Sequence, residues 1–260
     1  MRDFLAAVRF LTILPVPGAY HAGVIAGDEA CWGRATAWYP AVGLVLGAIL
    51  AGLDWGLRWL WPDGVAAALL LVAWVALTGA LHLDGFVDCC DALLAPVSPE
   101  RRLEILRDVH AGAFGIVGVV LLLLTKYAAL VALPEDIRLP ALLLVPTLGR
   151  WGMTGAVLLY SYARSGPGLG RKARSGAGHW QLAVATITAL LVSALAWWLG
   201  LGWVALLLLV FAAVTVLLTA QWIQSRIGGL TGDAYGAICE VGEVVGLLTL
   251  AALAFQGVLP

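Results

Sequence analysis

Three acidic segments of this chain carry residue types and spacings that could do chemistry. The first is His82-Leu83-Asp84-Gly85-Phe86-Val87-Asp88-Cys89-Cys90-Asp91. On a helix, positions i, i+4 and i+7 fall within an arc of about 60°. Three carboxylates on one face repel each other unless a cation sits among them. Mg²⁺ takes oxygen ligands, keeps several waters and is usually shared with substrate phosphates. Asp84, Asp88 and Asp91 therefore read as a divalent-metal and diphosphate site, the plain alternative being a solvated helix end.

The second segment, Glu104 to Gly112, again sets two acids at i, i+4, Glu104 and Asp108. Arg107 beside them could balance the acids or hold a phosphate; alone, this is an ordinary amphipathic surface helix. The third is Gly228-Gly229-Leu230-Thr231-Gly232-Asp233, followed by a helix with Glu240 and Glu243. Glycines before Asp233 let backbone amides approach a phosphate. Asp233, Glu240 and Glu243 share one helix stripe, and an ionisable residue inside a membrane span is a functional candidate by default. The bland reading, neutralisation of Glu240 and Glu243 by Lys126 or Arg150, is compatible with the functional one. The basic, glycine-rich loop 161–180, with Arg164, could close over an anionic ligand or simply be a flexible positive loop. His82 and His110 border acidic segments, where a helper role such as proton transfer is open; His21 and His179 read as interfacial.

The elements that must position these residues lie in lipid. The chain has 260 residues, 62% apolar and 12% charged. Its mean hydropathy is +0.96. A soluble domain carries about 25% charged residues, and one soluble core of this size could not bury so much apolar surface. A net charge of −1 offers no argument for nucleic acid. Cys31, Cys89, Cys90 and Cys239 have no metal or redox spacing and read as free thiols. The expected fold is an all-α polytopic membrane helix bundle forming a single catalytic domain over 1–260. About seven spans are expected, at 36–58, 65–83, 113–133, 140–160, 181–199, 201–220 and 237–256. Residues 2–14 read as an interfacial amphipathic helix stopped at Pro15-Val16-Pro17. Placing the N-terminus in the cytoplasm puts Arg101, Arg102, Arg107, Arg164, Arg171, Lys172, Arg174 and Arg226 inside, and leaves Arg58 and Arg138 outside. Asp84, Asp88, Asp91 and Asp233 then face the cytoplasm. Asp233 is expected to share metal or substrate with the Asp84–Asp91 face, which requires the second and seventh spans to be neighbours at that end.

The stretches Gly79 to Asp91, Arg107-Asp108 and Gly228 to Glu240 together resemble the cobalamin synthase family, also called adenosylcobinamide-GDP ribazoletransferases. Phe10 to Pro17, Tyr39 to Gly43, Gly149-Arg150, Tyr162-Ala163-Arg164 and Gly168-Leu169-Gly170 follow in the family's order, so the resemblance covers essentially the whole chain. The stretch Val109 to Gly112 departs from the family pattern and puts a role for His110 in doubt. The resemblance implies a bacterial inner-membrane enzyme with its active site facing the cytoplasm. It implies Mg²⁺ as cofactor, and adenosylcobinamide-GDP and α-ribazole, or its 5′-phosphate, as substrates. A ribose hydroxyl attacks the phosphorus bearing the aminopropanol arm, GMP leaves, and an acidic residue accepts the proton. The expected catalytic residues are Asp84, Asp88, Asp91, Asp233 and His82. The expected metal ligands are Asp84, Asp88, Asp91, Asp233 and Glu240, with Arg107, Asp108, Arg150, Arg164 and Lys126 binding substrate. Membrane lipid is the other partner, and a homo-oligomer is left open.

Rival readings fit less well. CDP-alcohol phosphotransferases also carry an Asp-Gly motif, but with Ala-Arg following and a longer Asp spacing, both missing here. Membrane prenyltransferases use paired Asp-rich motifs. Neither explains the stretch from Gly228 to Glu240. A cation-coupled transporter should hold its acids near the midplane in repeated halves, whereas these gather at one membrane face.

Overall fold

A computed structural model of the chain describes residues 1–16, 29–164 and 168–259. Pro17 and His21 lie outside the described residues. The helices are α1 (Arg2–Leu11), α2 (Glu29–Ala35), α3 (Tyr39–Leu60), α4 (Asp63–Leu77), α5 (Leu81–Leu94), α6 (Pro99–Ile105), α7 (Ala113–Ala132), α8 (Glu135–Leu159), α9 (Leu169–Gly176), α10 (His179–Ala196), α11 (Val204–Ile227) and α12 (Gly232–Phe255). Among the described residues, six helical stretches are long and apolar enough to cross a membrane, and α4 with α5, bent by 90°, makes a seventh if the pair counts as one span. The protein is a multi-pass, all-helical membrane protein.

Helix α8 is the axis of the bundle. It is buried along most of its length although it contains Pro140 and Pro146. A proline removes one helical hydrogen bond, which a membrane helix tolerates when neighbouring helices cover the freed backbone. Here α3, α10, α11 and α12 pack around it. The outer helices turn apolar side chains outward: Val72, Leu191 and Leu218 are each about two-thirds exposed. That surface suits hydrocarbon and would be costly in water. The α1 segment is amphipathic as expected. Its apolar face is packed into the bundle, with Leu11 fully buried against α2 and α3.

One expected span is corrected. The apolar run 65–83 is not a continuous helix, because α4 stops at Leu77. Its 15 residues reach about 22 Å, short of the ~30 Å hydrocarbon core. Gly79 and Ala80 both take left-handed backbone conformations, at φ 58° and 56°. Glycine adopts this conformation freely, but an alanine there costs about 1 kcal/mol. Two successive left-handed residues turn the chain, and α5 leaves at a right angle to α4. Ile13, just after α1, donates its N–H to the Leu77 carbonyl at 2.9 Å, satisfying one acceptor left open at the break. Hydropathy averages this stretch as apolar, Thr78 and His82 included, and cannot register the turn. The bend is what lays the acidic helix across the end of the bundle.

Candidate active site

The site forms where α5 crosses the start of α12. The two backbones touch at a pair of glycines. A Cβ on Gly85 would come within 2.7 Å of the Asp233 carbonyl oxygen, and one on Gly236 within 3.0 Å of the His82 backbone. No larger residue lets the helices approach this closely. The crossing brings Asp84 beside Asp233, so the neighbourhood expected between the second and last hydrophobic segments is present. Thr231 caps α12, accepting from the Ala234 N–H at 3.3 Å. A one-residue parallel bridge, Tyr162 to Leu230, ties the loop after α8 to the loop before α12. That bridge delivers Tyr162 and Arg164 to the same spot.

A pocket of about 280 Å³ lies at this junction, and Asp84, Asp233, His82, Tyr162, Arg164 and Tyr235 are among the residues lining it. The Arg164 guanidinium donates to Asp233 at 2.7 Å and to the Leu106 carbonyl at 2.6 Å. Asp88 feels repulsion from Asp233, Asp84 and Asp91, against attraction from Arg164. Among the described residues, no hydrogen bond or ion pair reaches the carboxylate of Asp84 or Asp88. His82 is buried, with an Nε2 that has no partner. Burial pushes the Tyr162 hydroxyl above its ordinary pKa range. It therefore stays protonated and can donate.

The remaining candidates lie elsewhere. Asp91 clamps the start of α7: its oxygens accept the Gly112 N–H at 2.7 Å and the Gly115 N–H at 2.8 Å. Both are open donors at a helix N-terminus, where a carboxylate is favoured. Asp91→Asn should therefore lower the thermal unfolding midpoint, a loss of about 1.5–3 kcal/mol for hydrogen bonds to a charged group, while turnover stays near normal. Parallel melting and rate measurements check this, and a collapse in rate without loss of stability would return Asp91 to the reacting groups. Arg107 and Asp108 are exposed and do not line the pocket. Asp108 pairs with His110 at 2.7 Å, and that hydrogen bond holds its carboxyl below the usual range.

Lys126, Arg150, Glu240 and Glu243 form a separate buried network. Lys126 Nζ donates to Glu240 at 2.6 Å and to Glu243 at 2.5 Å, and sits 4.9 Å from the Trp74 ring. Arg150 pairs with Glu243. All four are under 9% exposed. Two positive and two negative charges cancel, which is how such groups persist inside a bundle. The neutralising role weighed for Lys126 and Arg150 is what the geometry displays, and Glu240 is turned to Lys126. Among the described residues, no three His, Cys, Asp or Glu side chains converge to hold a metal ion by themselves. Of the five expected acidic ligands, Asp91 accepts from backbone amides and Glu240 from a lysine.

A larger cleft of about 700 Å³ opens at the opposite end, beside Asp54 and Arg138. Its buried aspartate is held by a two-point Arg138 pair at 2.6 and 2.7 Å, with Arg58 3.5 Å away. The acid-lined pocket is the candidate site. Sequence reasoning missed the aromatic contributors to that pocket: Phe10 from α1, Tyr39 from α3 and Tyr235 from α12. Each sits within a motif that carries the family resemblance, with no binding role read for it there.

Fold and pocket together define a multi-pass helical membrane protein whose pocket gathers two carboxylates, Asp84 and the Arg164-paired Asp233, at one junction of helices. The chain belongs to the cobalamin-5-phosphate synthase family, whose model it matches over residues 3–251. A relative from Roseiflexus sp. (strain RS-1) is 41% identical over 244 residues, 94% of this chain and 87% of its own length. One from Geotalea daltonii is 37% identical over 253 residues, covering 97% and 98%. One from Pseudomonas savastanoi pv. phaseolicola is 39% identical over 258 residues, covering 97% and 100%. All three carry the name adenosylcobinamide-GDP ribazoletransferase. No solved structure matches the chain.

Proposed function

We propose that this protein joins adenosylcobinamide-GDP to α-ribazole, or to its 5′-phosphate, and releases GMP, the final step of cobalamin biosynthesis. The observation that carries this reading is the convergence of Asp84 and Asp233, far apart in the chain, on one pocket with Arg164. A ribose hydroxyl oxygen bonds to the phosphorus that bears the aminopropanol arm. The phosphorus–oxygen bond to GMP breaks, and GMP takes the electron pair. The hydroxyl proton goes to a carboxylate of the Asp84 and Asp88 pair, with the His82 ring beside them as a helper. Arg164 holds the diphosphate from the other wall, its charge shared with Asp233 until substrate arrives.

Mg²⁺ fits this site. It binds through one or two carboxylates plus substrate phosphates, and Asp84 and Asp88 offer oxygens that no described cation engages. When bound, Mg²⁺ neutralises the diphosphate and makes the phosphorus easier to attack. Asp233 keeps one oxygen outside the Arg164 pair and would face the substrate phosphates from α12.

The site faces the cytoplasm in this reading, where nucleotide-activated substrates are made. Purified protein should release radiolabelled GMP from adenosylcobinamide-GDP only when α-ribazole and Mg²⁺ are both present. Absence of release, or ion flux in liposomes in its place, overturns the assignment. In intact cells, an impermeant thiol reagent should modify a cysteine placed at position 136 and spare one at position 170; the reverse pattern inverts the orientation.

A further inference from the structure

The pocket has two halves of different chemistry. One is the charged mouth of Asp84, Asp233 and Arg164. The other is an inner chamber walled by Phe10, Tyr39, Met153, Val157, Ala173 and Tyr235. Tyr39, Val157 and Tyr235 are each at most 3% exposed, and the Phe10 and Tyr39 rings lie 6.2 Å apart at a shallow angle of 31°. The whole space is about 280 Å³, just below the ~300–1,000 Å³ of pockets that enclose whole drug-sized ligands. It admits one nucleoside. It cannot admit a corrin macrocycle, which must stay outside with only its arm reaching in.

Resting on the transferase reading, we infer that the inner chamber takes the flat benzimidazole base of α-ribazole, and that the guanine of the other substrate stays outside it. Two nucleosides compete for this space and differ in their polar edges. Guanine presents two donor groups and three acceptors that must all be matched once water is excluded. A benzimidazole with its ribose attached presents a single ring nitrogen, an acceptor. The chamber wall is aromatic and aliphatic, and its unpartnered buried side-chain atoms are few. Tyr235 Oη is one of them, with no hydrogen-bond partner. A hydroxyl donor with nothing to donate to, set in an apolar wall, fits a base with one acceptor nitrogen. The aromatic walls suit the base's faces, since stacked rings contribute beyond burial alone. With the base inside, its ribose lies toward Asp84 and Asp88, where the attacking hydroxyl must be.

The inference makes Tyr235 and Val157 determinants of acceptor specificity. Tyr235→Phe removes one hydroxyl and keeps the ring; Val157→Phe fills the chamber. Steady-state kinetics on both purified variants should show KM for α-ribazole rising by about 5-fold in the first and about 10-fold or more in the second. KM for adenosylcobinamide-GDP should stay within about 2-fold in both, because a removed contact weakens only the ligand that made it. Equilibrium dialysis with labelled α-ribazole and labelled GMP reads the same chamber without turnover, and Val157→Phe should lose α-ribazole binding while keeping GMP. A rise in KM for adenosylcobinamide-GDP alone, or lost GMP binding, would place guanine in the chamber and overturn the inference. Unchanged constants for both substrates in Tyr235→Phe and Val157→Phe overturn it as well. Wild-type protein that binds α-ribazole yet never releases GMP would sink the transferase reading and leave the chamber assignment standing.

Discussion

Asp84→Asn and Asp233→Asn should each lose about 10²-fold or more in turnover, near 2.7 kcal/mol of transition-state stabilisation. Stability should move differently. Asp84 has no cationic partner among the described residues and repels Asp88. Removing its charge relieves that repulsion, so the Asn variant should unfold at the wild-type temperature or slightly above it. A group that costs stability and is needed for rate has the signature of a working residue. Asp233 differs, because its pair with Arg164 is partly exposed. Its loss should lower stability only modestly. GMP release and thermal unfolding in detergent, measured on the same preparations, give both quantities. Near-normal rates in both variants would reduce the crossing of α5 and α12 to a packing feature.

Lys126→Met should be the most damaging single change to the fold. It leaves Glu240 and Glu243 buried with only Arg150 to answer two carboxylates. Breaking a buried ion pair by deleting one partner costs about 3–5 kcal/mol, because a charge is left uncompensated. Lys126→Met combined with Glu240→Gln restores neutrality and should recover most of that loss. The comparison is a double-mutant cycle, and a coupling near zero would show that the two groups do not depend on each other. Neither change touches the pocket lining, so the double variant should bind substrate normally.

Much of this was legible from residues alone. Apolar runs longer than the hydrocarbon thickness located α3, α7, α8, α10, α11 and α12, because in lipid every backbone group must be satisfied within the helix. Their ends were less legible. α8 begins at Glu135 and α11 runs to Ile227, since charged residues extend a helix beyond the lipid without lowering its helicity. The left-handed turn at Gly79 and Ala80 was hidden inside an apolar run. In the site, Asp84 and Asp233 were found by spacing and by neighbouring glycines. Asp91 and Glu240 share the same spacing and charge, and only their partners distinguish them: backbone amides of α7 for one, Lys126 for the other. A helical wheel reports which face a residue occupies, and carries no information about what another helix brings to that face. Phe10, Tyr39 and Tyr235 were hidden for the opposite reason, since an aromatic in a membrane protein has many ordinary uses.

The buried network also bears on how the chain is made. Lys126 precedes its partners Glu240 and Glu243 by 114 and 117 residues, and Arg150 precedes Glu243 by 93. A ribosome emitting this chain delivers two cationic helices to the bilayer well before the helix that neutralises them. Each cation at mid-span costs about 2.5–3.5 kcal/mol until then. Helix α12 is therefore the closing piece of biogenesis as well as one wall of the pocket. Chains cut short before α12 lack the carboxylates that answer Lys126 and Arg150. Completion of the buried ion network and completion of the pocket wall come with the same helix.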